Sequence, residues 1–479
     1  MSNEQPATET VDPVDTTVDI TPLEHAAAVR EAFRAGVTRP VEWRRGQLKA
    51  IAAMLAENSG EIEGAVRADL GKPGAEALVT EISAVQMEIS DALKRLDKWM
   101  KPRTASLSAM TLPGKGQVVR DPLGTVLIIA PWNYPVNHLL APLVGALAAG
   151  NAVILKPSEM APHTSAVMAE LFPRYLDRRA VRLVEGAVEE TTQLLTYPWD
   201  HVFYTGNGAV GRIVMEAAAK HLTPVTLELG GKSPVFIDGT ADIDAVASWL
   251  ALGKFLNAGQ TCVAPDYVLA PPEVAAALVP ALKAAVEKLY GADPQASDDF
   301  GRIINDRHLQ RVTGLIDQRK VAFGGVSDAA DRYISPTVLT GVTLDDPVMQ
   351  EEIFGPVLPV ITVADRDEAV EIITGRDKPL ALYVFSTDEA TQEVFTTQTS
   401  SGGLVFNAVV LQLAVSTLPF GGVGASGMGG YHGEYGMRTF SHEKAVLRKS
   451  GKGPGGALKL AMPPFSPWKS RLLRRVLKG

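Results

Sequence analysis

From Gly124 onward, short runs of continuously apolar residues alternate with helical patterns, and no other feature restricts the fold as much. Thr125-Val126-Leu127-Ile128-Ile129-Ala130 reads as a buried strand and Pro131-Trp132-Asn133-Tyr134-Pro135 as a turn. Asn137 to Ala149 reads as a helix stopped by Gly150. Further strands are expected at Ala152 to Lys156, Val181 to Val184, His201 to Thr205 and Val225 to Leu229. A strand apolar on both faces needs cover on both faces, which predicts a parallel sheet flanked by helices. A second α/β unit follows. Its strands are Val357 to Val363, Ala381 to Phe385 and Gly403 to Phe406, and its helices Asp365 to Ile373 and Thr387 to Thr397. The latter helix carries a capping-box spelling at Ser386-Thr387-Asp388-Glu389. Upstream, the capping box Thr21-Pro22-Leu23-Glu24 opens a mostly helical stretch to Trp99, and Leu107 to Val119 reads as a polar β excursion.

At 479 residues the chain exceeds one ordinary core, so two or three domains are expected. A net charge of −8 argues against nucleic acid as the main partner. No run of about twenty apolar residues predicts a transmembrane helix. The first twenty residues carry five acidic and no basic side chains, a composition expected of a disordered tail rather than a secretory or mitochondrial leader. The C-terminal end, Pro463 to Trp468 followed by a basic amphipathic Lys469 to Lys478, suits a solvated tail or a peripheral membrane contact.

Cys262 is the only cysteine, which excludes an intrachain disulfide, disfavours a cysteine metal cage and fits a reducing, cytoplasmic setting. No metal ligand set is expected. A helix from about Asp242 to Leu256 runs into Asn257-Ala258-Gly259, and a strand, Asp266 to Ala270, follows. The thiol therefore sits on a turn between two rigid elements. A free cysteine is usually a small buried hydrophobe, so a catalytic role requires a base and an oxyanion donor from elsewhere. Gly206-Asn207-Gly208-Ala209-Val210-Gly211 lies between strand and helix and spells a dinucleotide fingerprint. Taken literally, it makes Glu228 the ribose-binding acid. A second match, Gly422 to Gly427, has no helix pattern behind it and reads as structural.

With these elements in place, the sequence resembles the aldehyde dehydrogenase superfamily, and within it the class 3 branch. The resemblance runs from Thr21 to the C-terminus. Its motifs, in order, are Pro131 to Pro135, Lys156-Pro157-Ser158-Glu159, Leu227 to Pro234, Gly259-Gln260-Thr261-Cys262, Glu352-Ile353-Phe354-Gly355-Pro356 and Pro419 to Gly422. The class 3 signal is Ser426 to Gly433, then Thr439-Phe440-Ser441-His442 and Pro463-Pro464.

The resemblance implies an aldehyde dehydrogenase-like α/β fold with a Rossmann-like cofactor domain (21–105 and 124–228) and an α/β catalytic domain (229–415). A small β oligomerisation arm (106–123 and 430–460) would make a homodimer, with an acidic tail at 1–20 and a basic one at 461–479. It implies oxidation of an aldehyde to its acid with NAD, NADP being left open. Cys262 would attack, Asn133 and the Cys262 amide would hold the oxyanion, and Glu228 would activate the hydrolytic water. Lys156 and Glu159 would hold the adenosine ribose, Gly206 and Gly211 would border the phosphates, and Glu352 would hold the nicotinamide ribose. Phe354 and Trp132 would complete the cofactor site. On this alignment Gly208 is a partly accidental spelling. Ala425, Ala408, Gln412 and Ser416 depart from the class 3 pattern around the substrate funnel, so substrate preference does not carry over. A CoA-acylating enzyme would lack Glu228, and a non-catalytic relative would have lost Cys262 or Asn133.

Overall fold

The computed structural model describes residues 20–108, 111–449, 451, 453 and 456–476. The acidic tail at 1–19 and the last three residues lie outside that range.

Two sheets carry the core. One has six strands in the order Gly427–Met428, Val225–Leu229, His201–Gly206, Thr125–Ile129, Ala152–Lys156, Val181–Leu183. All pair in parallel except Gly427–Met428, which is antiparallel to Val225–Leu229 and sets Gly427 opposite Glu228. The chain starts in the middle with Thr125–Ile129, builds outward on one side and returns to build on the other. The order therefore reverses between Thr125–Ile129 and His201–Gly206, and a crevice opens at the carboxyl ends of those strands, where such sheets bind ligands. Every residue of Thr125–Ile129 and of Ala152–Lys156 is buried, which is why these stretches read as unbroken apolar runs.

The second sheet has seven strands, in the order Val321–Phe323, Thr337–Leu339, Val357–Thr362, Tyr267–Ala270, Pro234–Ile237, Ala381–Phe385, Gly403–Phe406. Only Val321–Phe323 is antiparallel to its neighbour. A third, antiparallel sheet joins Arg103–Ala105, Gly114–Pro122 and Ser441–Lys449, the last two along a nine-residue ladder from Ser441↔Pro122 to Lys449↔Gly114. Most of Ser441–Lys449 is exposed, so this sheet stands away from the core. Just before it, the Gly433–Thr439 helix packs on Asn137–Ala149. A Cβ added at Gly145 there would lie 3.0 Å from the Gly436 backbone.

Two helix starts differ from the sequence patterns. The helix after His201–Gly206 begins at Gly208, with Asn207 as its cap accepting from Val210 N–H at 3.0 Å. The helix expected to be capped by Ser386 spans Glu389–Gln398 and is capped by Asp388, which accepts from Ala390 and Thr391 amides. Ser386 is drawn away because its hydroxyl donates to Asp238 on a neighbouring loop. Among the described residues, no helix is long and apolar enough to cross a membrane.

Candidate active site

The turn that presents Cys262 is held in an uncommon backbone conformation. Asn257, Ala258 and Gly259 have φ of 51°, 51° and 77°, three left-handed residues in succession. For asparagine and alanine this costs energy, and such strain persists only where surroundings over-determine it. Here they do. Gln260 is fully buried; its Nε2 donates to the carbonyls of Asn257 (3.0 Å) and Arg302 (2.9 Å), and its Oε1 accepts from Ile304 N–H at 3.0 Å. Tyr383 donates its hydroxyl to the Val263 carbonyl at 2.6 Å. Gly259 also allows close packing, since a Cβ there would sit 2.3 Å from the Gly355 carbonyl oxygen.

The Trp132–Pro135 turn faces this one and is fixed by residues the sequence patterns did not single out. A π-helical turn, Leu78–Ser83, delivers Glu81 into the interior, where Lys72 donates to it at 2.6 Å with both side chains fully buried. Lys72 also donates to the Asn133 backbone carbonyl at 3.2 Å and lies 4.0 Å from the centre of the Tyr134 ring. Glu81 accepts the Val136 and Asn137 amides at 3.1 and 3.0 Å, tying the start of the Asn137–Ala149 helix. Tyr134 and Thr261 hydroxyls are 2.6 Å apart, which links the two turns beside the thiol. The Asn133 side-chain amide donates one hydrogen to the Gln260 carbonyl at 3.0 Å, and its second N–H has no protein acceptor among the described contacts.

Cys262, Asn133, Glu228, Trp132, Lys156, Glu159, Gly206, Glu352 and Phe354 all line one cavity of about 1130 Å³. Gly211 does not line it; it is buried and faces Leu229, to which an added Cβ would come within 3.1 Å, so its place is helix-to-strand packing. Gly208 borders the cavity but an added Cβ would meet nothing closer than 3.6 Å, so the glycine spelling at that position meets no steric demand. The second glycine motif packs against the sheet, where an added Cβ at Gly427 would collide with the Leu227 carbonyl at 2.1 Å.

Burial governs the electrostatics at the thiol end. Both Glu228 carboxylate oxygens are buried without a hydrogen-bond partner, and desolvation pushes the carboxyl well above the usual range. Burial, then the Glu352 and Glu228 charges, push the half-buried Cys262 thiol up to about 12. Glu352 is pushed to about 8, mainly by burial and then by Asp266. His138, on the Asn137–Ala149 helix, lines the same cavity. Neither of its ring nitrogens has a hydrogen-bond partner among the described residues, and burial, reinforced by Lys72 and His432, lowers it to about 3.

The other end is wetter. Lys156 Nζ donates to the Pro157 carbonyl at 2.6 Å and lies 3.6 Å from Glu159, whose side chain is half exposed. Burial lowers the Lys156 pKa and Glu159 opposes that shift. The start of Gly208–Ala219 lines the cavity, and the first amides of a helix are suited to a pyrophosphate. Trp132 meets Phe354 edge-on, with ring centres 5.3 Å apart, and tilts against His308 at 5.2 Å. These residues fit a dinucleotide with its phosphates at the helix start and one ribose beside Lys156 and Glu159.

Comparisons with known proteins identify the family. The family model described as Aldehyde dehydrogenase family matches residues 4–446. The dimeric NADP-preferring aldehyde dehydrogenase of Rattus norvegicus is 50% identical over 421 residues, covering 88% of this chain and 93% of that protein. Aldehyde dehydrogenase family 3 member B1 of Homo sapiens is 49% identical over 445 residues, covering 93% and 95%. The substrate-bound AldH of Staphylococcus aureus superimposes with a TM-score of 0.92 at 42% identity, covering 95% of this chain and 99% of that one. The chain therefore belongs to the aldehyde dehydrogenase family, in its class 3-like branch, and is an enzyme that oxidises aldehydes with NAD or NADP.

Proposed function

We propose that Cys262 is the nucleophile of this oxidation, Asn133 its oxyanion donor and Glu228 the base of the hydrolytic step. The observation that carries these roles is the pairing of an unpartnered buried carboxyl with the only thiol in one cavity. Buried orphan acids are costly, and such groups cluster at sites of chemistry. The sulfur adds to the aldehyde carbon, and the new oxyanion accepts from the free N–H of the Asn133 amide and from the Cys262 backbone N–H. A bound NAD or NADP would supply the hydride acceptor, so that loss of hydride from the adduct carbon leaves a thioester on Cys262. Glu228 then accepts a proton from water as the water oxygen attacks the thioester carbon. The acid leaves and the thiol is regenerated. Burial favours the protonated form of both groups, so a proton must leave the thiol as the sulfur attacks and leave Glu228 before it serves as base.

Lys156 and Glu159 would bind the adenosine ribose, Gly206 would admit the phosphates, and Glu352 the second ribose. The exposed third sheet supports a homodimer through the 106–123 and 430–460 arm. The 21–105, 124–228 and 229–415 segments would act as the cofactor and catalytic domains. One cysteine supports a cytoplasmic setting. The Pro467–Val476 helix, with Arg474 and Arg475 in its last turn and Trp468 and Leu472 exposed, suits a peripheral membrane contact.

Glu228→Gln tests the base. Rapid mixing should give a burst of up to one reduced cofactor per site, then a steady rate lower by roughly 10²-fold, with an acyl adduct on Cys262 in the mass spectrum. Normal turnover without adduct would remove Glu228 from the mechanism.

A further inference from the structure

The Asn137–Ala149 helix is otherwise an apolar element with buried neighbours on all sides, and His138 is its one buried imidazole. Its ring stands edge-on to Tyr134, with centres 5.8 Å apart. Tyr134 in turn touches Thr261, the residue before the nucleophile. The residue is 9% exposed and lines the cavity that holds Asn133 and Cys262, with both ring nitrogens themselves buried.

A leucine would fill this place without leaving polar atoms unsatisfied. The histidine instead keeps two nitrogens with no protein partner among the described residues, in the wall of the cavity that holds Cys262. Its depressed pKa keeps the ring neutral across ordinary pH, so it offers one N–H donor and one lone pair together. A hydroxyl matches that combination, since it can donate and accept at once. The hydroxyl would lie within a few atoms of the aldehyde carbon, because the ring belongs to the same stretch as Asn133.

We propose that His138 is a specificity-determining residue whose ring hydrogen-bonds a hydroxyl on the second or third carbon of a short aldehyde, making short hydroxyaldehydes the preferred substrate class. This rests on the aldehyde dehydrogenase activity and adds to it a choice among aldehydes.

The test compares propanal with 2-hydroxypropanal and 3-hydroxypropanal, using the full chain with NAD. Wild type, His138→Leu and His138→Gln would be assayed side by side. Wild type is expected to favour at least one hydroxyaldehyde over propanal in kcat/KM. His138→Leu should lower that preference by about 10-fold, the scale of one hydrogen bond to a buried group, mainly through KM. His138→Gln, which keeps a donor and an acceptor, should retain part of it. A preference in His138→Leu within twofold of wild type would overturn the proposal. So would a wild-type preference for propanal over both hydroxyaldehydes, which decides the matter even if the leucine variant fails to fold. Propanal oxidation by wild type separately reports the underlying activity, and its absence would count against that activity rather than against His138.

Discussion

The cavity has two ends built on opposite principles. At the thiol end, Cys262, Glu228 and Glu352 are shifted chiefly by burial, and Glu228 has no hydrogen-bond partner among the described residues. At the other end, where a ribose is proposed to bind, Lys156 and Glu159 face each other at 3.6 Å, with Glu159 half in water. Desolvation stores reactivity in groups whose charged forms are unwelcome, whereas a solvated pair can be rearranged at small cost. Chemistry should thus depend steeply on the first end and cofactor preference only gently on the second.

The largest effect expected is that of Cys262→Ala. Aldehyde oxidation should fall by roughly 10³-fold or more, with cofactor still bound when followed by fluorescence, because the ribose and phosphate contacts are untouched. Retained turnover would break the contrast by showing that the thiol end is not where reaction occurs. Next comes the support behind Asn133. Lys72→Met leaves the buried Glu81 carboxylate without its cation, held by two backbone amides alone, and should cost about 3–5 kcal/mol in a urea titration. The double replacement Lys72→Met with Glu81→Met should recover most of that stability, yet kcat should stay low because the Asn133 turn has lost its donor and acceptor. Recovery of both would make the pair a packing element without a part in positioning. The smallest effect belongs to Glu159→Gln, which removes a charge near the ribose. NADP use relative to NAD should rise by roughly 5-fold in kcat/KM, the scale of about 1 kcal/mol for a solvated charge. An unchanged ratio would place the ribose elsewhere.

Local patterns in the sequence sufficed for elements whose cause is local. Ala381–Phe385 and Gly403–Phe406 are strands over the residues their apolar runs predicted; the first is buried throughout, and the second is the half-buried edge of the same sheet. Cavity residues within recognisable motifs, such as Cys262, Asn133 and Glu352, were legible for the same reason. What the sequence hid is the cross-chain scaffold. Lys72 reaches Asn133 across 61 positions and Glu81 reaches Val136 across 55, and no spacing announces such partners. Gly211 shows the converse limit, because one glycine spelling serves a ligand or a packing contact and only neighbours decide which. His138 sits on an apolar helix where periodicity alone makes it a core residue.

The left-handed Asn257–Gly259 turn bears on how the enzyme matures as it is made. Its restraints come from later in the chain: Arg302 and Ile304 through Gln260, the Gly355 backbone against Gly259, and Tyr383 holding Val263. A nascent polypeptide that ends before Tyr383 lacks part of the clamp that orients the sulfur. The turn that presents Cys262 therefore gains its full set of restraints only once the chain extends past Tyr383.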